Sequence, residues 1–319
     1  MKKLLLLVLL ATYPGASPVA QEWPSKPIIV VMPYKPGGGG EGMVRLIMAR
    51  VGQSLSQPVL IENRAGAGGT IGAFYVSKAK SDGYVLLASG LGSTVVAPAM
   101  EQVQFDPIKD FTHIALFGGP PPVLAVNIGM PIKSLAEYIN NSKLSKVGIA
   151  YGSSGHGTHV HLVGELFKKL SGAYMLHVPY NGGGPASADL MAGHIQSGMI
   201  TLASASQAVK AGKVRVLAIA TKKRVPELPD APTFSELGYG DLTGVTWFSL
   251  SGPAGLPRSI TLKLNFLVRS ALAQTDLRNK LMAEAIETGD LDPDAFTEFV
   301  KTEVARWTPI ARSLPRLID

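Results

Sequence analysis

Three groups of residues in this chain could do chemistry: glycine-rich loops, histidines and hydroxyl side chains. Four loops stand out. They are Gly37-Gly38-Gly39-Gly40-Glu41-Gly42, Ala65 to Thr70, Gly152 to Thr158, and Asn181-Gly182-Gly183-Gly184-Pro185. Each falls between a run that reads as strand and a run that reads as helix. Such a loop exposes backbone N–H groups at the positive end of a helix dipole, which binds anions. One loop of this kind is also what a tight strand-to-helix turn looks like. Four of them, all at carboxyl ends of strands, predict a shared ligand site. Gly37, Gly39 and Gly42 spell the dinucleotide pattern G-x-G-x-x-G, with Glu62 downstream. Tyr34-Lys35-Pro36 separates strand from glycines, however, where that fingerprint needs a tight turn. No nucleotide cofactor is expected.

His156, His159 and His161 are close in sequence, and His177 and His194 follow. The first three invite a metal reading. Residues two apart do not share a helix face, though, which separates His159 from His161. No carboxylate stands nearby to complete a set, so no metal is expected. His156 and His159 should make polar contacts at a helix start, and His161 should lie at a surface or interface. The hydrolase pattern G-x-S-x-G is absent, because His156 stands where its second glycine belongs. Ser89, Ser93 and Thr94 follow a strand and offer hydroxyls to a ligand. No pair of carboxylates is placed for acid–base work. Glu41 suits the first turn of a helix. Beside a bound anion it would repel, unless it is turned away, meets a cation or is held by the protein.

The elements that must position these residues alternate. Strands are expected at Pro27–Met32, Pro58–Glu62 and Tyr84–Ala88, with helices through Met43 to Val51 and Ile71 to Lys80 between them. Further strands are His113–Phe117, Val123–Asn127, Val147–Tyr151, Met175–Val178, Ile195–Ile200, Val214–Ala220 and Val245–Leu250, the last ended by Gly252-Pro253. Ser134-x-x-Glu137 is a capping box. Gly184 and Pro185 suit the cap and first position of a helix. From Pro257 the chain reads as helical, with Phe296, Phe299, Val300, Val304 and Trp307 on one stripe. The β–loop–α alternation predicts an α/β fold with parallel sheets covered by helices. There is no internal repeat and no linker. Two lobes would be joined by short strands near Val123–Asn127 and Val245–Leu250.

The 319 residues are 46% hydrophobic and 17% charged, which excludes a disordered chain. The absence of cysteine excludes disulfides, thiolate catalysis and Cys-ligated metals. The net charge of +7 is dispersed, and Lys222-Lys223-Arg224 is the one tight cluster, so no nucleic-acid partner is expected. Lys2 and Lys3 precede the apolar run Leu4 to Ala11, and Pro14, Gly15, Ala16 and Ser17 follow. This describes a cleavable signal peptide, cut near Ala20, too short to span a bilayer. A soluble, exported protein is expected.

An ordered series of motifs then resembles a known family. It comprises Trp23 to Pro27, Pro33-Tyr34-Lys35-Pro36-Gly37-Gly38-Gly39, Glu62 to Gly69, Asp82-Gly83-Tyr84 and Asp106 to Phe111. It continues with Tyr151-Gly152-Ser153, Gly155, Gly157-Thr158, His177-Val178-Pro179-Tyr180 and Leu228 to Thr233. From Trp23 to Trp307 the chain is similar to the Bug family, the periplasmic solute receptors of tripartite tricarboxylate transporters. The resemblance implies a two-lobed periplasmic binding protein of class II-like topology, each lobe a mostly parallel sheet covered by helices. It implies a signal peptide at 1–20, one lobe from 21–123 and 246–319, and the other from 124–245. It implies a monomer without enzymatic activity or cofactor, which closes on a small carboxylate. That ligand would pass to a membrane permease of one large and one small subunit. Grip in the family comes largely from backbone amides, hydroxyls and ordered water. By position, the substrate contacts in the first lobe are Tyr34, Gly37, Gly38, Gly39, Gly40, Glu41, Ser89, Ser93 and Thr94. Those in the second are Ser153, Ser154, His156, Gly157, Thr158, Gly183, Gly184, Pro185, Ala186 and Thr201.

Departures from the family pattern carry information. Gly40-Glu41 stands where Ser or Thr and then Asp is common, Ser93-Thr94 where Thr-His is, and Ile200-Thr201 where Asp-Asn is. The missing acid at 200 argues against a ligand bearing an ammonium group. Two other readings remain open to test. One is a secreted hydrolase or metal-dependent enzyme built on Ser154 or the histidines. The other is a sensor receptor for a membrane signalling partner.

Overall fold

The computed structural model describes residues 23–36 and 40–313. The expected signal peptide and Gly37, Gly38 and Gly39 lie outside the described residues. The chain begins with β1 (Ile28–Met32), α1 (Glu41–Leu55), β2 (Val59–Asn63), α2 (Thr70–Ser77), β3 (Val85–Gly90), α3 (Ala97–Met100) and β4 (Phe111–Gly119). It continues with β5 (Pro122–Asn127), α4 (Leu135–Leu144), β6 (Ile149–Ser153), α5 (His159–Ser171), β7 (Met175–Pro179), α6 (Gly183–Ala192), β8 (Ser197–Thr201), α7 (Leu202–Lys210) and β9 (Val214–Ile219). It ends with β10 (Phe248–Pro253), α8 (Arg258–Leu272), α9 (Thr275–Met282), β11 (Glu287–Thr288) and α10 (Pro293–Arg312).

These strands make two sheets, ordered β11-β4-β10-β3-β1-β2 and β7-β6-β8-β5-β9, each packed against helices. The β-branched run of β1 is buried between neighbours on both sides, as its composition predicts. In the first sheet β2, β1, β3 and β4 run one way, and β10 and β11 oppose them. In the second, β7, β6, β8 and β9 run one way and β5 opposes them. The reversed strands have a local cause. A parallel neighbour requires a crossover, usually a helix. The strand β5 enters the second sheet directly from β4 through Pro120-Pro121, and β10 enters the first directly after the chain returns.

Some boundaries move. The helix α6 starts at Gly183 with Gly182 as its cap, so Pro185 sits in the first turn rather than at the first position. Gly182 has φ 123°, a conformation that favours glycine and lets the turn close early. Gly252 and Pro253 are the last two residues of β10 and still pair with Thr112 and Phe111 of β4. Proline is tolerated there because pairing with β3 stops at Ser251, which leaves one side of the strand end open. In the capping box the Ser134 hydroxyl accepts from the Glu137 N–H, and the Glu137 carboxylate accepts from Lys133 N–H, one residue before the cap.

The helix α10 joins the two halves. Its stripe buries Phe296, Val300 and Trp307, with Phe299 and Val304 half-buried beside them. The same apolar cluster takes Val95 and Val96 from the first half and Leu124, Tyr138 and Phe167 from the second. Buried Glu303 on α10 accepts from both indole N–H groups, Trp247 at 2.8 Å and Trp307 at 3.2 Å. Among the described residues no helix is long and apolar enough to cross a membrane.

Candidate functional site

A cavity of about 270 Å³ lies between the two sheets. Its lining comes from the ends of β1 and β3, the loops before α2, α5 and α6, the end of β8, and the returning segment Thr246–Phe248. Five helices begin at its wall. Their caps are Gly40 for α1, Gly69 for α2, Thr158 for α5, Gly182 for α6 and Thr201 for α7, and all five line the cavity. The first turn of a helix leaves its N–H groups without intrahelical partners. At Gly40, Gly69 and Gly182 no side chain caps them. The wall therefore presents uncommitted donors and the positive ends of several dipoles to one volume.

The side chains agree with that polarity. Among the described residues lining the cavity there is no carboxylate, and Lys35 is the one Lys or Arg. The Tyr34 phenol is buried, which pushes its pKa up to about 12 against the lowering effect of Ser93, so it stays neutral. Tyr34 meets Phe248 edge-on at 6.3 Å, and Phe248 in turn covers Gly40. A Cβ at Gly40 would sit 2.2 Å from that ring, so only glycine lets the loop and the aromatic floor approach. Burial lowers the pKa of His156, against the opposing pull of Glu101 and Glu165. Burial drives His159 down to about 3, with Arg306 adding to it. The Nδ1 of His159 is 2.9 Å from Thr246 Oγ1, the polar contact expected at this helix start.

The four glycine loops do meet. Gly40, the loop Ala65–Gly69, the loop Ser154–Thr158 and the loop Asn181–Gly183 all border the cavity. Of the individually expected contacts, Tyr34, Gly40, Ser154, His156, Thr158, Gly183 and Thr201 line it. Gly37, Gly38 and Gly39 lie outside the described residues, and the remaining ones are placed behind the wall. Ser89 turns into the sheet and shares hydrogen bonds with Ser249 at 2.6 Å and Ser251 at 2.8 Å. Thr94 donates to the Gly90 carbonyl at 2.7 Å, and Ser93 hydrogen-bonds the Tyr34 phenol. Glu41 is buried and held by the protein, with Oε1 accepting from Arg45 Nε at 2.9 Å. Ser153 shapes its own loop, accepting from Gly155 N–H at 3.1 Å and meeting His177 Nε2 at 2.7 Å. Gly157 abuts Gly68 and Ala97 where the two halves touch. Gly184, Pro185 and Ala186 lie within α6, and Ala186 is fully buried on its inner face.

His161 departs from expectation. It is 4% exposed, against the surface or interface role its spacing suggests, because the amphipathic face of α5 turns it inward. Its ring lies 4.7 Å from that of His156 and 4.2 Å from that of His177. Some lining residues were not assigned as contacts from sequence. Gly66 to Gly69 belonged to a recognised loop, so the signal was present. Tyr180 and Asn181 precede another such loop. Trp247 and Phe248 reach the cavity only because the returning segment lies beside Pro120, a pairing no local pattern reveals.

Comparisons with known proteins show the family and the fold. Residues 43–315 match the model of the tripartite tricarboxylate transporter family receptor. The chain is 31% identical to BugT of Bordetella pertussis over 308 residues, covering 96% of this chain and 94% of that protein. Among solved structures it is similar to a Rhodopseudomonas palustris protein bound to adipate, with 32% identity and a TM-score of 0.86 over 91% of this chain and 98% of the other. It is also similar to MatC from the same organism with bound malate, at 31% identity and a TM-score of 0.85 over 91% of this chain and 100% of the other.

Proposed function

The chain belongs to the tripartite tricarboxylate transporter receptor family, and from that premise we propose that it closes two lobes on a small organic acid and delivers it to a membrane permease. One observation carries the choice of ligand. Five helix N-termini border a cavity whose described lining holds no carboxylate. Such a wall stabilises carboxylate oxygens through N–H groups and dipoles, and it offers no partner to an ammonium group. The ligand class is therefore a short acid without an amine, and a dicarboxylate engages both lobes at once. The adipate and malate held by the similar proteins support the same class.

Transport would follow from closure. The lobes of this reading are 21–123 with 246–319, and 124–245; the chain leaves the first sheet for the second at Gly119–Pro122, just before the first of these bounds, and returns through Gly244–Phe248. These two crossings lie side by side, with the Thr246 N–H donating to the Pro120 carbonyl at 3.0 Å. A ligand that contacts both lobes favours the closed state by its extra contacts there. The closed face is then what a permease of one large and one small subunit would recognise. Residues 1–20 would direct export to the periplasm, where the receptor acts as a monomer by binding alone.

A thermal-shift screen of the mature protein tests this. A ligand at 100 times its Kd stabilises by about 2.7 kcal/mol. For a protein of this size that raises Tm by roughly 4 °C. Dicarboxylates such as adipate and malate are expected to produce it, and amino acids of matching length are not. A shift with amino acids alone, or with no acid at all in protein freed of carried-over ligand, would contradict the reading.

A further inference from the structure

The pair of His161 and His177, joined by His156 from the loop before α5, has no part in the binding scheme above. All three offer nitrogens that lie within 4.8 Å of one another. A tetrahedral metal with Zn–N bonds of 2.0–2.1 Å sets its nitrogens about 3.4 Å apart, so modest ring movements complete the geometry. His156 is half-buried at the cavity wall and has the freedom to supply that movement.

A second observation points to a ligand. The Nδ1 of His161 is buried and has no hydrogen-bond partner among the described residues. A polar atom buried without a partner forfeits the hydrogen bonds that water would give it, so a ligand that takes up its lone pair is favoured. His177 carries the complementary feature, its Nε2 fixed at 2.7 Å from Ser153 Oγ. Metal-binding imidazoles commonly have their second nitrogen held in this way.

We propose that His156, His161 and His177 bind a divalent transition metal, with Zn2+ as a fitting ion, in the wall of the cavity. Three imidazoles suit zinc, copper and nickel, and a set without carboxylates disfavours Ca2+ and Mg2+. The sequence pattern hid this site. It suggested His156, His159 and His161, but His159 turns to Thr246 and Trp307. The third ligand instead comes from β7, brought alongside by its parallel pairing with β6.

Titration calorimetry with ZnCl2 alone reads the site without the organic acid. The mature protein is prepared without a polyhistidine tag and freed of metal by chelator. One zinc per chain is expected. His161→Ala and His177→Ala should weaken it by more than the ~10–100-fold that loss of an outer partner costs. His156→Ala tests the same site at a half-exposed position where folding is not at stake. His194→Ala, on the surface beside Asp189, should leave affinity unchanged. No stoichiometric zinc uptake, or uptake that survives His156→Ala and His161→Ala intact in folded protein, would overturn the proposal.

Discussion

Gly183, the first residue of α6, marks how little space the cavity wall has for side chains. A Cβ there would lie 2.2 Å from Ser204 Oγ and 3.3 Å from Ser154 Oγ. Gly183→Val should reduce affinity for the acid at least tenfold, a loss of ~1.4 kcal/mol. Gly42→Ala is the matched control. It lies in α1 with nothing near its added methyl, so it should stabilise the protein by about 0.5–1 kcal/mol and leave binding alone. Equal binding by wild type and Gly183→Val in calorimetry would remove α6 from the site. The histidines make a separate prediction. Burial lowers the pKa of His113 and His177 to about 4 and of His159 and His161 to about 3, with His177 and His156 adding to the shift at His161. The unfolded chain binds protons near 6.5, so it holds more of them than the folded chain as pH falls below that value. Stability is thus full above about pH 6.5 and declines toward pH 4. A Tm measured in chelator that stays flat over that range would contradict it. At this scale the glycine loops were legible, because free N–H groups at a helix start are a local property. The His161–His177 contact was not, because it depends on strand pairing.

Among the elements, α10 has the widest reach, since its buried stripe serves both halves of the molecule. Its cap is Asp292, whose carboxylate accepts from Asp294 N–H at 3.0 Å and Ala295 N–H at 2.8 Å. Asp292→Ala should cost about 0.5–2 kcal/mol. Trp307→Ala removes a fully buried indole and should cost about 3–5 kcal/mol. Both are read as changes in denaturation midpoint, and a Trp307→Ala loss below that of the cap variant would mean that α10 does not join the lobes. Hydrophobic spacing located most strands and helices, because alternation and the helical period are written in each segment. It could not give the direction of β5 and β10. Their reversal follows from how the chain passes between sheets, and no single segment records that.

For the whole molecule the account requires movement. The crossings at Gly119 and Thr246 touch so closely that a Cβ on Gly119 would sit 2.0 Å from the Thr246 carbonyl oxygen. Small backbone changes at such a point swing large bodies. The radius of gyration from small-angle scattering should fall when the mature protein is saturated with its acid, and an unchanged value would mean that binding does not close the lobes. The division into two lobes was foreshadowed by motifs spread along the chain. The cavity itself was not, because its walls come from loops far apart in sequence and from the returning segment. The most direct test of the central claim is a crystal structure of the mature protein with a short dicarboxylate. The account predicts carboxylate oxygens accepting hydrogen bonds from backbone N–H groups at the starts of α2, α5 or α6, in the cavity between the sheets. A ligand held chiefly by Lys or Arg side chains, or seated outside that cavity, would contradict it.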